Sequence, residues 1–327
     1  MTLELLAVLL LILAAEFVNG WTDAPNAIAT VVGTRALSPR GALALASVFN
    51  LLGVLSGTAV ATTIGKGIID PSAITLSTVG GAMVGLIIWS SVAARWGIPT
   101  SESHALVAGL AGAGLASAGP SVLVWTGWQK VCIGLFFSSI LGFVGGGSMM
   151  LAIYWLCRRA IPRKVQRVFR WLQLASAAFM AFSHGSNDGQ KFMGALTLAL
   201  VLAGVLPTFV IPLWVVGLCA LVMALGTSIG GWRIMRTLGM RLTNLKTHQG
   251  FAAETAAAGT ITVASALGIP LSTTHTIATA IMGVGAVHGM RAVRWGITRE
   301  LVIAWVLTFP ICAAISWGVV MLMRVLA

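Results

Sequence analysis

Long apolar runs alternate with short polar or basic segments along the whole chain. Each run has about 20 residues or more, the length that a helix needs to cross a bilayer. Five runs precede a basic segment and five follow it, at roughly 3–36, 41–65, 73–95, 97–118 and 122–157, then 171–205, 207–231, 248–268, 269–288 and 300–324. The pattern predicts an all-α polytopic membrane protein.

Two short motifs occur once on each side of the basic segment. FVNGWTD at 17–23 recurs as FSHGSND at 182–188, and GIPTSESH at 97–104 recurs as GIPLSTTH at 268–275. An odd number of elements in each half would invert the second half relative to the first, and inverted repeats with interrupted helices are typical of secondary transporters. We therefore predict a first repeat at 1–157, a basic cytoplasmic loop at 158–170 and a second repeat at 171–327.

The fourth and ninth elements leave the number of crossings open. Both are short and rich in Gly, Pro and Ser. Such segments either cross the membrane or turn back inside it, because irregular backbone is tolerated there only when protein surrounds it. The sequence predicts about five elements per repeat, with re-entrant helical hairpins at these two places.

Composition and charge fit a membrane protein and orient it. The residues are 58% hydrophobic and 9% charged, against about 25% charged in soluble domains. The formal net charge is +12, and sixteen of the 20 lysines and arginines lie on one side when every element crosses. Basic loops stay in the cytoplasm, so this excess reflects topology and not a nucleic-acid partner. It predicts that both termini lie outside.

Each copy of the first motif places an aspartate deep inside an apolar element. A carboxylate at that depth costs about 2.5–3.5 kcal/mol on insertion scales, so it indicates a functional site. Asp23 and Asp188 stand at matched repeat positions and predict a paired coupling-ion site, with sodium as its metal if the protein is sodium-coupled. The residues around them predict a broken helix in each copy, at Gly20 and Pro25 and at Gly185 and Gly189.

Each copy of the second motif places a proline and several hydroxyl groups at a predicted helix start. Ser and Thr there cap the first turn, and capping alone would explain them. A helix N-terminus with free N–H groups is also an anion site. Two such ends would enclose a small tetrahedral oxyanion, and the candidate residues are Thr100, Ser101, Ser103, Ser272, Thr273 and Thr274.

Four more polar residues lie within the two motif pairs. His104 and His275 close the second pair, and each is either a core histidine or part of a ligand set or proton relay. Asn26 follows Asp23 by three residues, and Asn187 immediately precedes Asp188. Their amides both donate and accept hydrogen bonds, so we predict that they help to bind the anion.

The remaining candidates concern the coupling ion. Glu254 is a further intramembrane carboxylate, and Asn50 is a polar residue within the second element. Glu102 either belongs to a relay or simply stands at a helix N-terminus, where negative charge is favourable. Lys191 either belongs to the relay, neutralises Asp188 or reaches toward an interface.

At these residues the chain resembles the inorganic phosphate transporter (Pit) family, over nearly its whole length. The family's duplicated GANDVANA-like motif appears as GWTDAPNA (20–27) and GSNDGQKF (185–192), and its P-x-S-x-[ST]-H motif as PTSESH and PLSTTH. The resemblance implies two inverted repeats with re-entrant hairpins. It also implies phosphate near the midplane, between the hairpin tips and the broken helices.

The chain departs from the family pattern at a few positions. Thr22 stands where the family usually has Asn, and Gln190-Lys191 replaces Ala-Asn. Sodium-coupled members tend to have a Glu near the position of Asn50, whereas proton-coupled bacterial members look more like this chain. The resemblance therefore implies a bacterial inner-membrane protein without a cofactor, and it favours H+ over Na+ as the coupling ion.

The predicted function is secondary active import of inorganic phosphate with a coupling cation, by alternating access within the lipid bilayer. A permease for sulfate or another tetrahedral oxyanion, a passive channel and an intramembrane aspartyl enzyme are the alternatives, and a homo-oligomer stays open. Phosphate can donate a hydrogen bond to an aspartate and ionised sulfate cannot. Peptide hydrolysis gives no reason for a second pair of anion-binding helix ends, so we predict no enzymatic activity.

Overall fold

Helices make up most of residues 2–326, the part of the chain that this computed structural model describes. In chain order they are α1 (Leu3–Gly33), α2 (Pro39–Val54), α3 (Ala59–Gly67), α4 (Leu76–Trp96), α5 (Glu102–Ala118), α6 (Trp125–Cys157), α7 (Pro162–Leu202), α8 (Leu213–Ile229), α9 (Trp232–Arg236), α10 (Thr247–Ala266), α11 (Thr273–Val287) and α12 (Trp295–Leu326). A π-helical turn, Thr237–Arg241, extends α9. The prediction of an all-α chain is confirmed.

Several helices are long and apolar enough to cross a membrane. Within residues 2–326 these are α1, α4, α6 and α12, and the number rises to six if the bent pairs α2–α3 and α8–α9 each form one span. Helices α6 and α12 expose many large apolar side chains, including Phe136 and Trp317. Lipid contact accounts for such a surface, because lipid tails are as apolar as these side chains.

The helix breaks lie in the second element of each half, not in the first. Helices α2 and α3 meet at 69°, and α8 meets the extended α9 at 64°. Gly230 between α8 and α9 has φ of +72°, which a glycine adopts without strain. Each half therefore has its sharp bend in the second element.

Helices α1 and α7 are continuous, so the predicted breaks at Gly20, Pro25, Gly185 and Gly189 are wrong. The glycines face neighbouring helices: Gly20 packs against Met223 and Gly185 against Asn50, at distances that leave no room for a Cβ atom. They permit close packing and do not interrupt the helix. Pro25 removes one backbone hydrogen bond, whereas breaking the helix inside a membrane would leave many groups unsatisfied.

The two halves interlock. Helix α1 packs on α8 of the other half, and α2 packs on α7 in the equivalent way. The contacts repeat in detail, because Gly226 lies against the carbonyl of Phe17 while Gly53 lies against the carbonyl of Phe182. The hairpin α4–α5 packs on α12, and the hairpin α10–α11 packs on α6.

The hairpins enter the protein from opposite ends and meet tip to tip. Their open ends are tied by a 2.7 Å hydrogen bond between Thr78 and Ser117, and by one of 2.9 Å between Gln249 Nε2 and His288. The tip contacts are Ser103 Oγ to Leu271 O at 2.8 Å and Thr274 Oγ1 to Thr100 O at 3.0 Å. Each hairpin thus combines two predicted elements, three with four and eight with nine.

Most of the predicted basic loop at 158–170 is helical. The chain turns only at 158–161, and Pro162 then begins α7. Proline suits the first position of a helix because it has no N–H to leave unsatisfied. The Lys, Arg and Gln residues that follow are good helix formers, so the charged segment continues α7 as an exposed extension.

Candidate substrate and cation site

Asp188 lies at the centre of the protein, and both of its carboxylate oxygens contact other side chains. Its side chain is 1% exposed. One carboxylate oxygen pairs with Lys191, one turn along α7. The other lies 3.1 Å from Nε2 of His184 and accepts a 2.8 Å hydrogen bond from Thr273 Oγ1. The aspartate therefore joins α7 to the tip of the second hairpin.

Lys191 contacts both hairpin tips from the same position. Its ammonium group donates to Ser103 Oγ of the first hairpin and, at 3.2 Å, to Leu271 O of the second. Its exposed fraction is 1%. The sequence left three readings of Lys191 open, and the structure places it against Asp188 and the tips.

Asp23 reaches the same centre from α1. Asp23, His184 and Asp188 each offer a ligand atom, and these atoms lie within 4.8 Å of one another. One oxygen of Asp23 is buried and, among the described residues, has no hydrogen-bond partner. The structure thus brings the repeat-matched aspartates together, and the three residues can hold a cation or share a proton.

A line of buried oxygens runs along α1 toward this group. Glu16 Oε1, Asn19 Oδ1, Asp23 Oδ2 and Asn26 Oδ1 all lack a hydrogen-bond partner within residues 2–326. Their spacings of three, four and three residues place them on one face of the helix. Such oxygens can ligate a cation or accept a proton, so α1 offers a polar track that ends at Asp23 and Asn26.

The hairpin tips supply donors for an anion. Asn26 Nδ2 donates to Thr274 Oγ1 at 2.9 Å and lies 3.4 Å from Thr273 Oγ1. The backbone N–H groups at residues 102, 103, 273 and 274 begin α5 and α11, and a helix cannot bond its own first amides. They are therefore available to an oxyanion beside Asn26.

Ser101 and Ser272 cap the two hairpin helices. Each hydroxyl accepts from the backbone N–H three residues on, at 3.4 Å from His104 and 3.1 Å from His275. The capping interpretation therefore accounts for these two residues. Both are buried at the tips, so they also define the shape of the space between them.

Asn50 connects to the centre through His184. Asn50 Oδ1 accepts from Nδ1 of His184 at 3.1 Å, while its amide donates to Thr227 at 3.0 Å. The other ring nitrogen, Nε2, is the one that lies 3.1 Å from Asp188. Asn50 therefore acts on the site by orienting His184.

Asn187 contacts the second hairpin. Its amide donates to Ser265 Oγ at 2.9 Å and lies 3.4 Å from Ile269 O, while its side-chain oxygen is buried without a partner within residues 2–326. It thus points toward the turn of that hairpin. The structure keeps Asn187 near the tip but gives it no direct contact with Asp188.

The two glutamates lie in separate polar clusters. Glu254 accepts from Thr30 and Ser176 and, at 3.3 Å, from Gln173. Thr30 lies one turn of α1 beyond Asn26, so this cluster ties α10 to α1 and α7 beside the centre. It does not include either aspartate.

Glu102 starts α5 and accepts hydrogen bonds from Thr22 at 2.8 Å and Ser90 at 2.7 Å. These bonds tie the tip of the first hairpin to α1 and to α4. Thr22 is the departure from the family pattern noted above, and here its hydroxyl has a defined partner. Glu102 is thus a neighbour of the site through α1, without a hydrogen bond to either aspartate.

The motif histidines pair behind the hairpin tips. The ring centroids of His104 and His275 are 4.5 Å apart, and His275 stacks on Trp305 of α12 at 3.8 Å. His104 Nδ1 lies 3.4 Å from Trp305 O. No hydrogen bond within the described chain joins either ring to an aspartate, so a relay through them has no direct link to Asp188 here.

Sequence reasoning missed His184. It lies four residues before Asp188, a spacing that puts both side chains on one face of a helix. The signal was present in FSHGSND, but a predicted break at Gly185 hid it.

Comparison with known proteins agrees with this arrangement. The model of the phosphate transporter family matches residues 19–164 and again residues 158–316. The chain belongs to the phosphate transporter family. The double match follows the two repeats, and the resemblance found in the motifs is confirmed.

Individual relatives support the same membership of the family. A probable low-affinity inorganic phosphate transporter of Rhizobium meliloti is 46% identical over 92% of this chain and 91% of its own length. Its counterpart in Bacillus subtilis is 39% identical over 96% of both chains. A solved structure described as the sodium-dependent phosphate transporter superposes with a TM-score of 0.90 over 100% of both chains, at 25% identity.

The family and the fold settle the class of protein. The relatives and the solved structure are transporters, so the prediction that the chain is not an enzyme is confirmed. Its apolar helices and its family make it a multi-pass membrane protein.

Proposed function

We propose that this chain imports inorganic phosphate together with a coupling cation, by alternating access. The observation that supports this most directly is the buried centre, where free helix N-termini and Asn26 lie beside Asp23 and Asp188. Anion donors and cation acceptors thus share one small space. A substrate and a counter-ion bound there would neutralise each other, which favours moving them together.

The anion half of the proposed site uses neutral donors. The amides that begin α11 lie next to Asn26, and the amides that begin α5 lie at the facing hairpin tip. The hydroxyl groups of Thr273 and Thr274 donate to Asp188 and to Thr100 O. Neutral donors bind an oxyanion without holding it irreversibly, as release requires. Phosphate is preferred over sulfate because its protonated oxygen can donate to Asp23, which has an unpartnered oxygen among the described residues.

The coupling cation is proposed to be a proton. The three-residue group around Asp23 includes a histidine nitrogen, and a hard alkali cation prefers oxygen ligands. Histidine and aspartate side chains can exchange protons, and Nε2 of His184 lies 3.1 Å from Asp188. Sodium is the alternative, with Asp23 and Asp188 as ligands, and the description of the solved structure favours it for that protein.

The proposed setting is the inner membrane of a bacterium. The basic ends of α7 and of the segments near Arg236 and Arg294 would face the cytoplasm, with both termini outside. Phosphate, the cation and lipid are then the partners, and a homo-oligomer would be compatible with the exposed apolar faces.

Uptake into liposomes tests the proposal. The purified protein is reconstituted and supplied with labelled phosphate or sulfate, under an inward proton gradient or an inward sodium gradient. We expect phosphate to accumulate under the proton gradient and a protonophore to abolish accumulation. Uptake of neither anion under either gradient would overturn the transporter proposal, and uptake with sodium alone would replace the proton by sodium.

Replacing Thr273 with valine is expected to weaken phosphate binding. Valine keeps the shape but removes the hydroxyl that donates to Asp188 and lies beside Asn26. A hydrogen bond to a charged group contributes about 1.5–3 kcal/mol. Its loss should loosen the hairpin tip beside the anion position, so the KM for phosphate should rise by up to about 100-fold. Thr62→Val, at an exposed hydroxyl on α3, is the matched control. An unchanged KM in Thr273→Val would remove Thr273 from the site.

A further inference from the structure

Lys191 occupies the position that a cation would take between Asp188 and the hairpin tips. Its ammonium group meets three oxygen atoms from three parts of the chain: a carboxylate oxygen of Asp188, the hydroxyl of Ser103 and the carbonyl of Leu271. Carboxylate, hydroxyl and carbonyl oxygens are the ligands that hard metal cations use. With an exposed fraction of 1%, the group is shielded from bulk water.

The other repeat has no such group. Asn26 stands at the matched position, 165 residues earlier, as Asp23 matches Asp188. Both oxygens of Asp188 are partnered, whereas one oxygen of Asp23 has no partner among the described residues. The carboxylate of Asp188 in the second repeat therefore already pairs with a positive charge. The carboxylate of Asp23 in the first repeat is free to bind a separate cation.

A plain ion pair on α7 would not need the hairpins. Residues three apart on a helix already meet, so Lys191 and Asp188 could pair with the ammonium turned away from the tips. Instead the ammonium also holds Ser103 of α5 and Leu271 before α11. It therefore ties together the elements that must separate when the site opens, which is the part that a bound coupling ion plays.

We propose that Lys191 is a tethered cation that permanently fills one of two symmetry-related cation positions, so that each transport cycle carries a mobile cation only at Asp23. This inference deepens the proposed function and rests on it. A sodium ion cannot share the three oxygens that the ammonium of Lys191 occupies, and the positive charge of Lys191 does not cross the membrane. Lys191 is then the residue that sets the ion requirement of this chain.

Removing the tethered charge tests the inference. Lys191→Asn makes the second repeat match the first and replaces the ammonium by an amide oxygen that can ligate sodium. Phosphate uptake by this variant should become several-fold faster in sodium chloride than in choline chloride, whereas uptake by the unmodified protein should be equal in both salts. Lys191→Met offers no oxygen and should be slow in both.

Thermal melting of the purified protein measures sodium binding without measuring transport. Sodium chloride should raise the melting temperature of Lys191→Asn above its value in choline chloride and should leave Lys191→Met unmoved. If Lys191→Asn cannot be purified, Lys191→Gln replaces it in the experiment. Glutamine offers an equivalent amide oxygen on a side chain that is one methylene group longer. Equal melting and equal uptake in both salts, in a folded variant with an amide at 191, would overturn the inference. Loss of uptake in the unmodified protein would instead overturn the proposed function.

Discussion

Asp188→Asn is expected to abolish concentrative phosphate uptake and to destabilise the protein. The substitution removes the charge that balances Lys191. It also weakens the close contact with His184 and the hydrogen bond from Thr273. Leaving one partner of a buried ion pair alone costs about 3–5 kcal/mol. Uptake into liposomes under a proton gradient and the melting temperature measure the two effects separately.

Two controls separate the role of Asp188 in transport from its role in stability. Asp70→Asn makes the same change in a surface loop, where the carboxylate bonds only to Ser72 among the described residues, and both properties should persist. Adding Lys191→Met to Asp188→Asn removes the unpaired charge, so melting should recover while uptake should not. Recovery of uptake in the double variant would mean that the aspartate serves only to balance the lysine.

Gly226→Leu is expected to prevent the protein from folding. Gly226 on α8 lies against the backbone of Phe17 on α1, and a Cβ atom there would overlap the carbonyl oxygen. Overpacking a core by a few methylene groups costs about 1–3 kcal/mol, and here the obstacle is backbone that cannot turn aside. The yield of monodisperse protein after detergent extraction measures the result.

Gly217→Leu is the matched control for this substitution. Gly217 is on the same helix, and no atom lies within 4 Å of the place where its Cβ would be. It should be extracted and should melt like the unmodified protein. A well-folded Gly226→Leu protein would show that α1 and α8 are not held at this distance.

The sequence predicted the architecture well because its signals are local. A helix that crosses a bilayer must be apolar over its length. The related motifs PTSESH and PLSTTH indicate a similar turn in each half, whatever the turn packs against. The centre could be anticipated for the same reason, since buried Asp23 and Asp188 are costly anywhere in a membrane. Those predictions did not depend on which helices touch.

The errors arose where a residue type has two physical uses. A glycine in a membrane helix either loosens it or lets another backbone approach, and only the neighbour decides. Gly20 and Gly185 proved to be contact surfaces, so α1 and α7 stay whole and His184 stands one turn from Asp188. The clusters around Glu254 and around the paired histidines depend on contacts between distant segments, which no local pattern contains.

The interlocking of the halves has a consequence for how the protein is made. Helix α2 makes most of its contacts only when α7 and α8 have been synthesised. The hairpin α4–α5 packs on α1 through α4, and it gains its other main partner only with α12. The first half therefore leaves the ribosome as a set of inserted segments whose glycine faces are still uncovered. Helix α12 closes this part of the structure, and a chain stopped before Trp295 would lack the surface on which its first hairpin rests.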